Sequence, residues 1–284
     1  MSGVHPLWLN GAHGWRPRRW PRVGFAACVL VLLGGCAGAG LNQPGPTVIF
    51  LDGSGWAGSA ASVRGGLRAA GFKGNVESFP WTSLLGPVPD HFLVTHKKQK
   101  AGQLARHIAA RRAAFPRDEL HLMGLSAGAA VAVFGLEELP PGVQVDNVVL
   151  FEPSISADYD LSDAMAHVRG YLYATSSPND GVLAGLRLNA DGGTGQPAGL
   201  YGLRIPSRVK RYEVYARVVN LPWRPPYTDL GWNGSHTGAT NGRFVQNVIA
   251  PRILSSGPQP LNHPLAPDWI VRWRGSHATA KSMR

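Results

Sequence analysis

The pentapeptide Gly124-Leu125-Ser126-Ala127-Gly128 constrains this chain more than any other stretch. The apolar run Leu120-His121-Leu122-Met123 precedes it and a helix-forming run from Ala129 to Leu139 follows, so Ser126 falls in a turn between a strand and a helix. Such a turn strains the serine backbone. It also packs strand against helix so closely that a Cβ at Gly124 or Gly128 would collide with its neighbours. The hydroxyl is thereby pushed out at the carboxyl end of the strand, the geometry of a nucleophile elbow. In a chain with 36 glycines the string alone says little, and the flanking strand and helix give it meaning.

Around this turn strands and helices alternate. Thr47 to Leu51 is an apolar, β-branched run of the fully buried kind, broken by Asp52-Gly53-Ser54-Gly55. Ala60 to Ala70 reads as a helix closed by Gly71, Val76 to Phe79 as a second strand, and Lys98 to Ala114 as a helix with Ala101, Leu104, Ala105 and Ile108 on one face. Glu119 to Met123 is the third strand. Val145 to Phe151, Gly170 to Thr175 and Val209 to Val218 read as the fourth, fifth and sixth, with helices over Leu161 to Arg169 and Gly242 to Leu254. The alternation predicts an α/β sandwich of three layers, with a mostly parallel sheet of about six strands covered on both faces and ligands at its carboxyl edge.

Acyl transfer needs more than a serine, because a free hydroxyl is a poor nucleophile unless a base takes its proton and a carboxylate orients that base. Asp180 stands in Ser177-Pro178-Asn179-Asp180-Gly181 after the fifth strand, and His236 in Gly234-Ser235-His236-Thr237 before the last helix. With Ser126, this chain order resembles the α/β-hydrolase superfamily, whose triad runs Ser, Asp or Glu, then His. The resemblance spans roughly residues 47 to 254 in element order, and only the elbow is specific in sequence. It implies a serine hydrolase of the carboxylesterase or lipase type, acting on a small-molecule or lipid ester, with a thioester or amide within reach of the same apparatus. It further implies an oxyanion hole made by the N–H of Ala127 and one from Ser54 or Gly55. Asp52 departs from the histidine common in that loop, and Trp56 reads as either a substrate wall or core.

Each assignment has a competitor. Glu152, after the fourth strand, is the alternative acid, a position some lipases use, and Asp158 follows it; Pro-Asn-Asp-Gly around Asp180 is also good turn chemistry. Among other histidines, His107 and His167 are expected on helices and His121 in a strand as satisfied core or surface residues, while His263 and His277 lie in the tail. The interval 152–170 is too short for a large cap, so the expected site is open. The excursion 182–208 reads as a Gly-rich connector, with a mobile flap as the other reading. The segment 221–235, with Trp223, Tyr227 and Trp232, reads as a rim able to take an apolar acyl group or a sugar ring. His96-Lys97-Lys98-Gln99-Lys100 reads as a solvated helix start.

The first 36 residues stand apart. Arg16, Arg18, Arg19 and Arg22 precede the apolar run Val23 to Leu33 without an acid, the pattern of a secretory signal; eleven helical residues at ~1.5 Å each are too short to span a bilayer. Leu33-Gly34-Gly35-Cys36 resembles the lipobox of bacterial lipoproteins, which implies lipidation of Cys36, membrane attachment through that anchor and, with Ala37 next, an outer-membrane destination. Expected organisation is therefore a signal at 1–36, a tether at 37–46, a hydrolase domain at 47–255 and a Pro-rich, then basic, tail at 256–284. Cys28 and Cys36 are the only cysteines, so the mature body has no disulfide. Losing the four leader arginines lowers the formal net charge of +11 to +7.

No metal-ligand spacing, complete dinucleotide fingerprint or nucleic-acid module accompanies that charge, so no metal, cofactor or nucleic-acid partner is expected and the chain is read as a monomer. The rival reading is a non-catalytic envelope lipoprotein that uses the hydrolase scaffold as a binding module.

Overall fold

A computed structural model describes residues 43–55, 58–83, 86–186 and 188–254. The leader with Cys36, residues 37–42 of the tether, Trp56 and the tail at 256–284 with its two histidines lie outside the described residues. Among the described residues six strands form one all-parallel sheet in the order β2-β1-β3-β4-β5-β6. They are β1 (Thr47–Leu51), β2 (Asn75–Ser78), β3 (Leu120–Leu125), β4 (Asn147–Phe151), β5 (Leu172–Ser176) and β6 (Val218–Pro222). In register, β1 Leu51 faces Gly124 of β3, and β3 Leu125 faces Phe151 of β4.

Side chains alternate across each strand, and the two sets build two cores. Ile49, Leu51, Leu120, Leu122, Val148 and Leu150 pack with α3 (Val94–Ala114), α4 (Ala127–Glu137) and α5 (Ser162–Ala166). Val48, Phe50, Met123, Leu125, Val149 and Phe151 pack on the other face with α1 (Ser59–Ala69) and the terminal helical stretch. The sandwich covered on both faces is thus the arrangement that the alternating pattern predicts, and its all-parallel sheet is α/β-hydrolase-like, as the resemblance implies. α4 is buried from Ala127 to Leu136 because the sheet covers one side and α3 the other.

Several local expectations are corrected. The sixth strand is Val218–Pro222 rather than 209–218: Tyr212–Arg217 is a 3₁₀ helix, anchored by Leu161 N–H donating to Tyr215 Oη (3.0 Å) and by the Arg217 guanidinium donating to the carbonyls of Met165 (3.1 Å) and Gly170 (3.0 Å). The aromatic side chains of 221–235 pack on the core rather than forming a rim, while its polar residues stay at the surface. Trp232 is fully buried, stacks on Tyr227 at 5.6 Å and meets Phe244 edge-on, and Trp223 donates to Trp232 O (2.7 Å).

The excursion 182–208 is neither bare connector nor flap. It carries α6 (Gly181–Ala184) and α7 (Ala198–Tyr201) and is tied to the strand ends by Ala190 N–H on Ser154 O (2.8 Å) and Asn189 Nδ2 on Ser156 Oγ (3.0 Å). The helix of Lys98 begins at Val94 and Lys97 is fully buried, not solvated, because the unanticipated α2 (Pro87–Phe92) covers it. The last helix occupies the expected Gly242 to Leu254, but as α8 (Gly242–Phe244), a π-helical turn (Val245–Ile249) and α9 (Ala250–Leu254). His121 is buried on β3, where among the described residues neither ring nitrogen has a hydrogen bond and Nε2 lies 3.7 Å from Glu119 Oε2.

Candidate active site

The sheet order reverses between β1 and β3, since β1 leads to β2 on one side and β3 lies on the other. That switch point leaves a crevice outside the carboxyl ends of the strands. Ser126 stands there at the end of β3, and the 52–55 loop at the end of β1.

Ser126 has φ 55° and ψ −121°, a region a non-glycine residue enters at a cost of about 1–3 kcal/mol. Its neighbours hold it there. Ser126 N–H donates to Phe151 O (2.9 Å), and Ser126 O accepts from Ala129 N–H (3.1 Å) and Ser154 N–H (3.3 Å). A Cβ at Gly124 would lie 2.8 Å from the Ala129 backbone, and one at Gly128 only 2.4 Å from Asp52 O. The two glycines therefore set how closely α4 approaches β3 and the 52–55 loop. Ser126 as a whole remains 5 % exposed.

Ala127 opens α4, so its N–H has no acceptor within the helix and is available to an anion beside Ser126. The opposing loop is braced. Trp81 Nε1 donates to Asp52 O (2.6 Å), and the Asp52 carboxyl stands near the Ser59 hydroxyl and the first N–H groups of α1. Burial, opposed by those polar neighbours, raises the Asp52 pKa. Gly55 has φ 64° and lies against Pro87 of α2, where a Cβ would come within 2.6 Å. Ser54 is buried and its Oγ has no hydrogen-bond partner among the described residues.

Asp180 is fully buried at the N-cap of α6, where Oδ1 accepts from Val182 N–H and Leu183 N–H, both 3.0 Å. The turn chemistry and the candidate acid are thus the same residue: one oxygen caps the helix and the other is left for a partner. That partner is His236, whose Nδ1 lies 2.6 Å from Asp180 Oδ2. With the shared proton on Nδ1, a neutral imidazole keeps Nε2 as an acceptor. The two loops dock through Gly234, where a Cβ would sit 2.8 Å from Ser177 Oγ and 3.0 Å from Asn179 Cβ.

Glu152 has no such partner. It is fully buried with φ 37°, its N–H donates to Thr175 Oγ1 (3.0 Å), and among the described residues neither carboxyl oxygen finds a hydrogen bond. Burial first, and then the charge of nearby Asp180, hold its pKa well above the usual range. Asp158 is exposed. Among the other histidines, His107 pairs with Glu77 (2.9 Å) and His167 Nδ1 with Val143 O (2.8 Å).

Sequence reasoning missed α2 and what it brings. His91 is buried, its Nε2 lies 3.1 Å from Leu188 O, and its pKa is lowered chiefly by burial and further by the charges of Lys97 and His236. Lys97 Nζ donates to the carbonyls of Asp90 and His91, and burial lowers its pKa to about 8. α2 therefore bridges from the Gly55 loop to the segment after Asp180. The available signal was Gly86-Pro87, a helix start with proline at its first position.

Among the described residues no group of three or more His, Cys, Asp or Glu is placed to hold a metal ion. No known family model matches the sequence, and no curated protein matches it. Solved structures do resemble it. Lipase B of Aspergillus fumigatus is 14 % identical, with a TM-score of 0.47, 83 % of this chain covered and 57 % of that one. A cutinase-like protein from Cryptococcus sp. is 15 % identical over 75 % of this chain and 93 % of its own, with a TM-score of 0.37. An acetylxylan esterase is 15 % identical over 74 % and 95 %, with a TM-score of 0.38. This chain thus matches just over half the length of the first of these.

Proposed function

We propose that this protein is a serine hydrolase that cleaves carboxylic esters. Ser126 Oγ attacks the ester carbonyl while His236 Nε2 takes its proton, and Asp180 keeps the imidazole in the required tautomer and stabilises the imidazolium. Ala127 N–H and a backbone N–H of the Ser54–Gly55 loop hold the oxyanion. His236 then passes the proton to the leaving alcohol, and water hydrolyses the acyl-enzyme by the same route. The observation that carries this reading is the buried 2.6 Å contact of His236 Nδ1 with Asp180 Oδ2, together with a serine held at φ 55° at the carboxyl end of β3 in the same sheet.

Fluorophosphonate labelling of the full chain tests it, with p-nitrophenyl acetate hydrolysis read in parallel. Labelling that is lost in Ser126→Ala and His236→Ala is the expected result. A folded wild type that neither labels nor hydrolyses the ester returns the chain to the binding-module reading.

The anchor is a separate proposal: Cys36 is lipidated and holds the protein in the outer membrane, the described part having no helix long and apolar enough to cross a membrane. Unchanged membrane partition of Cys36→Ser would remove this proposal and leave the first intact.

A further inference from the structure

The described surface carries a cleft of ≈ 620 Å³ lined in part by the residues on either side of His236 in the chain. Gly58, Ser59 and Ser62, at the start of α1, form one part of its lining, and the segment from Thr228 to Asn241 forms the rest. Its lining ties it to the candidate site: α1, starting at Ser59, follows the Asp52–Gly55 loop in the chain, and Ser235 and Thr237, both lining the cleft, bracket His236 in sequence.

The lining is chemically uniform. Among the described residues that form it none is charged or aromatic; they are serines, threonines, asparagines and glycines. Asn233 Oδ1 accepts from Ser235 N–H (3.1 Å) and Asn241 Oδ1 from Arg243 N–H (2.9 Å), so each asparagine turns its oxygen to its own loop and keeps its amide nitrogen as a donor. The Thr240 hydroxyl donates to Thr237 O (2.7 Å) and keeps its oxygen as an acceptor. The cleft thus offers neutral donors and acceptors together. An alkyl alcohol would strip water from these groups and return no hydrogen bonds, and a phosphate or carboxylate would find no cation. A molecule with several hydroxyls and no charge meets both conditions.

We propose that this cleft binds the alcohol half of the substrate, and that this alcohol is an uncharged polyol such as a sugar residue or glycerol. The inference rests on the hydrolase reading above. In the step it serves, the bond from Ser126 Oγ to the acyl carbon forms as the bond from that carbon to the polyol oxygen breaks. The proton taken from Ser126 passes through His236 to that oxygen, and the polyol leaves with its hydroxyl restored.

The test compares four acetates on the full-length protein: p-nitrophenyl acetate, butyl acetate, glycerol monoacetate and a monoacetylated methyl glucoside. At least one polyol acetate is expected to exceed butyl acetate in kcat/KM by 10-fold or more, and the two polyol arms separate glycerol from sugar. In Ser62→Ala and Thr237→Val, kcat/KM for the favoured polyol ester should fall about 3- to 10-fold further than for p-nitrophenyl acetate. Free methyl glucoside or glycerol should also compete with p-nitrophenyl acetate in the unmodified protein, a readout that does not depend on any variant folding. Hydrolysis of p-nitrophenyl acetate with butyl acetate equal to or better than both polyol acetates overturns the polyol assignment and leaves the hydrolase reading standing. No hydrolysis of any ester and no fluorophosphonate labelling overturns both.

Discussion

The carboxyl ends of β4 and β5 make an instructive pair. Each carries a fully buried acid a few residues past the strand, and they are close enough for the charge of Asp180 to act on Glu152. Asp180 is surrounded by two backbone N–H groups and an imidazole, whereas Glu152 has a hydroxyl oxygen against its own N–H and nothing on its carboxyl oxygens. Two ionised carboxylates in so dry a place would repel each other, and the partners decide which one keeps its charge. A strand-edge carboxyl is therefore not an acid for a base until something donates to it. Glu137 is an intermediate case on the far end of α4, with the Tyr159 hydroxyl donating to Oε2 (3.1 Å) and burial raising its pKa to about 7.

The largest effect should come from reversing the roles. Asp180→Asn is expected to lower kcat for p-nitrophenyl acetate by roughly 10³- to 10⁴-fold, because an amide favours the wrong imidazole tautomer. Glu152→Gln should change it less than about 3-fold. If the two losses came out alike, the comparison would break, with Glu152 sharing the work.

Next in size is the packing that holds Glu152 in place. A Cβ at Gly199 would lie 2.6 Å from the Glu152 carbonyl carbon and 2.4 Å from Leu183 Cδ1, so Gly199→Val should destabilise the fold by about 1–3 kcal/mol in urea unfolding. An unchanged midpoint would mean that the β4 end yields more easily than its strained φ suggests.

Glu152→Gln sharpens the comparison through pH. Its folded pKa is raised above the unfolded value, so the folded chain retains a proton that the unfolded chain has released. Stability from this group is present below the unfolded pKa and lost as pH rises toward the folded one. The Gln variant should lose that slope, and its unfolding midpoint should exceed that of the wild type on the alkaline side.

Glu137→Gln is the mildest case. The same sign applies, with the loss confined between the model-peptide range near 4.5 and about 7, and solvent screening keeps the gain at pH 8 below about 1 kcal/mol. A pH-independent difference between wild type and variant would assign the effect to the Tyr159 contact instead.

The sequence made the elbow legible because its constraint is local: Gly124 and Gly128 are required by contacts within a few residues of Ser126 or with the neighbouring strand end. The first five strands were legible because parallel strands buried on both faces are written as continuous apolar runs. Where the reading failed, partners distant in sequence decided. The alternation Tyr212, Val214, Ala216 looks like a strand, but Tyr215 and Arg217 bind the chain around residues 161–170, and pairing with β5 starts only at Val218. Lys97 reads as solvated until α2 closes over it, and Trp232 as a rim until Tyr227 and Phe244 enclose it. For the candidate site, residue types and chain order were readable. The distinction between Asp180 and Glu152 was not, since it lies in the N–H groups of α6 and the return of His236 from 56 residues away.

That return has a kinetic consequence. An all-parallel sheet has no hairpin to nucleate on, and each of its pairings closes a long loop. The imidazole can meet Asp180 only once the chain through residue 236 has been made and has returned to the end of β5. If the proposed hydrolysis holds, recovered activity after dilution from denaturant should therefore trail the recovery of helical signal.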